Sequence, residues 1–203
     1  MNSLVDSWKN ADVFASQLAL NEKELDNYPA HWNLFLEAVS VLDPKPQTML
    51  DIGCGVGTFH ELCRRHYPTL KYTGADYSSD AIELAKNKWG GDHWDVRDYK
   101  DLTTEDAKKY DLLHAGALLD VLPNGDDALS FLLELGFKYL ILGRVKFTRK
   151  GSHFIEYDAY DKIPTYAYSH NLESLMDSTN KAGYRVMLTG EMNSCTVILK
   201  KSP

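Results

Sequence analysis

Apolar positions recur along this chain in two rhythms that trade places. Between Pro44 and about residue 143, short apolar runs alternate with stretches where apolar residues return at three- and four-residue steps, the mark of strands alternating with amphipathic helices. Thr48 to Asp51 predicts the first strand, and a helix from Gly57 to about His66 follows with Phe59, Leu62 and Cys63 on one face. Lys71 to Asp76 predicts the second strand. Ser78 or Ser79 can cap the next helix, which holds Ala81, Ile82, Leu84, Ala85 and Trp89 and closes at Gly90-Gly91. A short third strand is expected around His93 to Val96, a fourth over Tyr110 to Ala115 and a fifth over Lys138 to Gly143. Before the fifth, Asn124 is expected to cap a helix with Asp126 and Asp127 in its first turn, Leu129, Leu132, Leu133 and Leu135 inward, and Gly136 as its stop. Five strands separated by helices imply right-handed crossovers and a parallel sheet.

The two ends follow other patterns. Residues 1–44 read as two helices, the first with Trp8, Ala11, Phe14, Ala15 and Leu18 on one face, the second starting at Pro29 with Trp32, Phe35, Val39 and Leu42 inward. They are expected to form a helical cap, either packed on the core or laid over a ligand site, with Trp8, Gln17, Tyr28 and His31 near its mouth. Beyond residue 170, Asn171 caps a helix with Leu172, Leu175 and Met176 inward, and Tyr184 to Leu188 and Cys195 to Leu199 then read as a terminal antiparallel hairpin. The whole, 1–203, is expected to be one domain: a cap (1–44), a ligand-binding half (45–143), a substrate segment (144–170) and a closing helix with hairpin (171–203).

Composition narrows the class. Hydrophobic content of 44% and charged content of 25% are those of a soluble globular protein, and no apolar run approaches the roughly 18 residues of a membrane helix. The start, Met1 to Lys9, lacks a secretory pattern, so cytoplasmic residence is the expectation. Cys54, Cys63 and Cys195 match no zinc spacing and fit reduced thiols. A net charge of -7 argues against nucleic acid as partner, although the basic cluster Arg144 to Lys150 keeps an anionic substrate in view.

The chemistry is concentrated in Met49-Leu-Asp-Ile-Gly-Cys-Gly-Val-Gly57, an apolar strand breaking into glycines at 53, 55 and 57. Such a turn lets the backbone come close to a ligand and collects amides at a helix start. Asp76 follows Gly57 by 19 residues, near the spacing of a carboxylate that holds a ribose diol. Thr58 stands where a pyrophosphate-binding turn wants glycine, which favours a nucleoside ligand without phosphate.

Leu50 to Gly57, then Gly74-Ala-Asp-Tyr-Ser78, Asp98-Tyr99 and Tyr110-Asp-Leu-Leu-His114 together resemble the ordered motifs of class I S-adenosylmethionine-dependent methyltransferases, over roughly residues 45 to 200. The resemblance implies an α/β fold: a doubly wound, mostly parallel seven-stranded sheet with the C-terminal hairpin and N-terminal cap. It implies S-adenosyl-L-methionine as cofactor, with Gly53, Gly55 and Gly57 approaching its methionine half and ribose, Asp51 orienting the loop, Asp76 on the ribose, Tyr77 against adenine, Asp98 and the Tyr99 backbone at the adenine edge, and the Ala115 carbonyl toward the ammonium. No metal is implied. No Asn or Asp followed by two prolines stands after strand four, which departs from the amino-group methylases of DNA.

Methyl transfer needs alignment, exclusion of water and, for some acceptors, a base. Asp120, His114 and His153 are the candidate catalytic residues, and Tyr28, His31, Tyr157 and His170 the candidate acceptor contacts. The segment 144–170 is rich in aromatics, among them Phe147, Phe154, Tyr160, Tyr166 and Tyr168, which either wall a pocket or form a minor cluster. A small-molecule acceptor offering oxygen or nitrogen is the first expectation. The rivals are a protein or RNA acceptor, a donor-binding assembly module without turnover, and a nicotinamide oxidoreductase, which the terminal hairpin disfavours. The oligomeric state is not written in these patterns.

Overall fold

A computed structural model describes residues 8–9, 11–159 and 163–202, with only the backbone of 11 and 12. Five parallel strands form as their apolar runs dictate: β1 (Thr48–Ile52), β2 (Lys71–Asp76), β3 (Trp94–Val96), β4 (Leu112–Ala115) and β5 (Tyr139–Thr148). The intervening helices are α3 (Thr58–His66), α4 (Ser79–Trp89), α5 (Thr104–Lys109) and α6 (Gly125–Leu135). Helix α7 (Leu172–Lys181) leads to the antiparallel pair β8 (Tyr184–Glu191) and β9 (Ser194–Lys201), and β9 runs antiparallel against β5. The sheet thus runs β3-β2-β1-β4-β5-β9-β8, the seven strands expected. Its order reverses between β1 and β4, where open α/β sheets bind ligands.

Two further strands were not expected. β6 (His153–Ala159) and β7 (Ile163–Asn171) form an antiparallel hairpin, and β7 pairs in parallel with the last three residues of β5, Lys146–Thr148. β5 is ten residues long and runs five residues past the expected end at Gly143. Its first half lies between β4 and β9, and its overhang carries the hairpin.

Local caps behave largely as the side chains direct. Ser78 Oγ accepts from the Ala81 amide and Asn171 Oδ1 from the Ser174 amide, whereas Asn124 stands at the start of α6 without a side-chain capping bond. Two buried clusters fill the faces of the sheet, one around Leu113, Leu132, Leu140 and Val197, the other around Phe35, Met49, Leu62 and Ile141. The second is closed by α2 (Ala30–Val41), whose Trp32, Phe35 and Val39 are buried as the spacing required.

Helix α1 (Ala11–Glu24) corrects the expected face, because Val13 and Phe14 are buried while Ala15 is exposed. Val13 packs with Ala159 and Ile163 of the hairpin, and Phe14 with Val56 and Ala81 of the glycine turn and α4. The Trp8 indole donates to Thr165 Oγ1 at 2.9 Å, and Asn21 Nδ2 to Thr58 Oγ1 at 2.6 Å. This helix bridges hairpin and glycine turn as a cover. Tyr160 lies outside the described residues.

Candidate active site

At the carboxyl end of β1 the chain turns through Gly53 (φ 72°), Gly55 (φ 54°) and Gly57 (φ 76°), all in the left-handed region that glycine enters without a steric penalty. Gly53 and Cys54 both donate to the Ala75 carbonyl, drawing the turn across to β2. There the Asp76 carboxylate completes it. Oδ2 accepts from the Gly55 amide at 2.9 Å and Oδ1 from the Ser78 amide at 2.9 Å. Burial raises the Asp76 pKa, and these two amides oppose the rise.

The three glycines do different things. A Cβ on Gly53 would find nothing nearer than Leu118 at 3.7 Å, an ordinary contact, so packing does not bar a side chain there. A Cβ on Gly57 would stand 2.4 Å from the Trp94 ring and 3.2 Å from Ala85. Gly57 is therefore glycine for packing beneath the turn, which corrects the expectation that it approaches a ligand.

Three chambers meet at Gly53. One of about 170 Å³ is walled by Tyr77, Tyr99, Leu118 and Leu122 and is mainly apolar, with Arg97, Asp98 and Lys100 also in its lining. Asp98 caps the turn there, its Oδ1 accepting from the Lys100 amide at 3.1 Å. A second, about 430 Å³, takes in Asp51, Gly53, Gly55, Thr58 and Gly116, with Asn21 and His31 from the cover. A third, about 350 Å³, runs from Asp76 past Leu118 to Phe14, Arg144 and Tyr157.

The catalytic candidates separate. His114 is 1% exposed; its Nδ1 pairs with Asp51 Oδ1 at 2.7 Å, and Phe35 and Phe59 flank its ring at 4.6 and 4.4 Å. Asp51 Oδ2 accepts from the Tyr72 hydroxyl at 2.6 Å. His114 is thus an interior partner of Asp51 without access to an acceptor. His153 is exposed on β6, bonded to the Gly151 carbonyl and away from all three chambers. Asp120 is 2% exposed, neither oxygen has a hydrogen-bond partner, and burial raises its pKa against the pull of Arg144 and Lys146.

Of the acceptor candidates, His31 and Tyr157 line chambers. Burial, aided by Arg144 and His114, lowers the His31 pKa to about 4, so its imidazole is neutral near pH 7. Tyr28 instead bonds His66 Nε2 at 3.1 Å on the flank of α3, and buried His170 pairs through Nδ1 with Asp126 at 2.6 Å. Ala115 is buried at the end of β4, and the chamber wall begins with Gly116 and Ala117 after it. Arg144, which lines both larger chambers, was read as part of a basic cluster and as the start of the substrate segment, and not singled out as a site residue.

Residues 50–135 match the model of the family described as a methyltransferase domain. A ubiquinone/menaquinone biosynthesis C-methyltransferase of Desulfotalea psychrophila is 34% identical over 130 residues, 63% of this chain and 51% of that one. A malonyl-[acyl-carrier protein] O-methyltransferase of Ilyobacter polytropus is 26% identical over 184 residues, 83% of this chain and 65% of that one. The chain spans between about half and two thirds of the length of these two curated relatives. Among solved structures, DesVI of Streptomyces venezuelae superposes with a TM-score of 0.63 at 12% identity, over 95% of this chain and 99% of that one. Human N-acetylserotonin methyltransferase, solved with S-adenosylmethionine, gives 0.57 at 16% identity, over 85% and 53%.

Residues 50–135 thus carry the methyltransferase-domain match, on a fold shared with solved methyltransferases. The chambers are of a kind that S-adenosylmethionine would fit: a mainly apolar one, an acid at the junction, and a polar one against the start of α3.

Proposed function

We propose that this chain transfers a methyl group from S-adenosylmethionine to a small-molecule acceptor. The observation that carries the reading is the Asp76 carboxylate fastened to the Gly55 amide at the point where the chambers join. One side of each carboxylate oxygen is used by the turn, and the remaining lone pairs serve a ribose diol. Tyr77, Tyr99 and Leu118 take the adenine, with Asp98 at its edge. Asp51, held by His114 and Tyr72, fixes the turn, and Thr58, Asn21 and the amides opening α3 receive the amino-acid end.

When bound, the cofactor supplies a methyl on a sulfonium, already activated for in-line displacement. The residues of this chain then have to align the acceptor and exclude water. Helix α1 does the second by spanning turn and hairpin, and segment 144–170 does the first through Arg144 and Tyr157. His31, neutral and at the wall, is the group through which an acceptor proton can leave. The names of the curated relatives span carbon and oxygen acceptors, so the choice of acceptor rests with the walls of the chamber.

Calorimetric titration with S-adenosylhomocysteine tests the donor site. Micromolar binding that falls at least tenfold in Asp76→Asn, with unchanged circular dichroism, supports it; no binding by the wild type defeats it. Label from methyl-labelled donor appearing in a small molecule then tests transfer.

A further inference from the structure

Arg144 stands out by backbone and position, and by a guanidinium whose ion pair is a loose one. Among the described residues it is the one non-glycine with positive φ, 59°, and it lies where the register of β5 on β9 shifts between Leu142 and Val145. Such irregularities re-aim a side chain, and left-handed backbone away from glycine persists where the surroundings impose it. The result is a guanidinium lining both larger chambers, the one lysine or arginine among the described residues that does so. Among the described residues its five N–H donors have one ionic neighbour, Asp120, at 3.9 Å, beyond hydrogen-bond reach.

Resting on the methyltransferase reading, we propose that Arg144 selects the acceptor: a small carboxylic acid with an apolar body, its carboxylate held by the guanidinium. The apolar body has its wall in Phe14, Val121, Tyr157 and Ala159 of the same chamber. Asp120, buried with both oxygens lacking hydrogen-bond partners, anchors the guanidinium from behind as a positioning residue. Two other acids line the chamber. Asp76 is committed to the glycine turn, and Asp158 is exposed at the rim, where water and salt screen it. A planar carboxylate matches the guanidinium fork with two parallel bonds, which an amide of equal shape cannot do. The cofactor's own carboxylate has the start of α3 and Asn21, so Arg144 is left for the acceptor.

The test titrates protein saturated with S-adenosylhomocysteine with benzoate and hexanoate, and with benzamide and hexanamide as neutral matches. The acids are expected to bind roughly 10- to 100-fold more tightly than the amides, the worth of a charge-assisted pair. Arg144→Met and Arg144→Asn, the second suited to the left-handed backbone, are expected to erase that difference, and Arg144→Lys to keep part of it. Equal binding of acids and amides, no binding of either, or a preference that survives both variants overturns the proposal. So does a tenfold loss of S-adenosylhomocysteine affinity in Arg144→Met without loss for methylthioadenosine, which lacks the amino acid; Arg144 would then belong to the donor. Failure of S-adenosylhomocysteine to bind the wild type strikes the donor assignment instead. The acid titration, repeated without it, still decides the role of Arg144.

Discussion

His114 Nδ1 stands 2.7 Å from Asp51 Oδ1, and both side chains are 1% exposed. One carboxylate is thereby divided between an imidazole on β4 and the Tyr72 hydroxyl on β2, tying together the three central strands just below the glycine turn. Removing one donor leaves a buried acceptor short. Tyr72→Phe is expected to destabilise the fold by about 1 to 3 kcal/mol in urea titration. S-adenosylhomocysteine affinity should change less than threefold, because the hydroxyl touches no chamber. A large affinity loss would instead show that Asp51 itself contacts the donor.

Gly53 and Gly57 predict opposite failures. Gly57→Ala puts a methyl 2.4 Å from the Trp94 ring and on a left-handed backbone, so it is expected to lower the urea midpoint by an amount worth several kcal/mol, roughly 2 to 4. Gly53→Ala meets only the backbone term, about 1 to 2 kcal/mol. Its methyl projects into the junction of the chambers, so the protein should fold and lose donor affinity at least tenfold. Equal behaviour of the two variants would contradict the division of labour.

Asp120 is kept at a cost to stability. A carboxyl at 2% exposure without a hydrogen-bond partner is less stable than an apolar group of similar size. Asp120→Leu is expected to raise the urea midpoint by an equivalent of about 1 to 2 kcal/mol while turnover with a carboxylic-acid acceptor falls. A lower midpoint would show that Asp120 holds the fold through Arg144.

The sign of the pH dependence follows from histidines and acids that pull in opposite directions. His31 and His60 each have a folded-state pKa of about 4 against an ordinary 6.5, and burial is the main cause for both. The unfolded chain takes up their protons first, so their contribution is complete above 6.5 and is lost as pH falls toward 4. Asp76 and Asp120, raised by burial, contribute the reverse. The urea midpoint should fall between about pH 7.5 and about pH 5.5, the range in which ordinary histidines titrate. The fall should be shallower in the double variant His31→Gln, His60→Gln. An unchanged slope would mean that other groups dominate this range.

The half that carries the glycine turn was legible because β1, β4 and the start of β5 are apolar runs and each major helix shows its buried spacing. Lys71 to Asp76 and Ser78 came out at their observed places. The β6–β7 hairpin was not, since six of seven residues of β6 are exposed and present no alternation to read. Helix α5 escaped for a related reason. It is six residues long, and its box pairs Thr103 with Asp106 where Glu or Gln is the usual signal. The sequence names three glycines, but only the position of the Trp94 ring distinguishes Gly57 from Gly53. Arg144 was hidden because its left-handed backbone is the kind of feature that only glycine advertises in a sequence.

The ten residues of β5 split the labour of the protein along one strand. Tyr139 to Leu142 are locked between neighbours on both sides, while the stretch after Arg144 hangs clear of β4 and bears a hairpin of its own. On the proposed reading, changes beyond that joint are expected to remodel the acceptor chamber while the glycine turn keeps its shape, so that altering one overhang would suffice to admit a new acceptor.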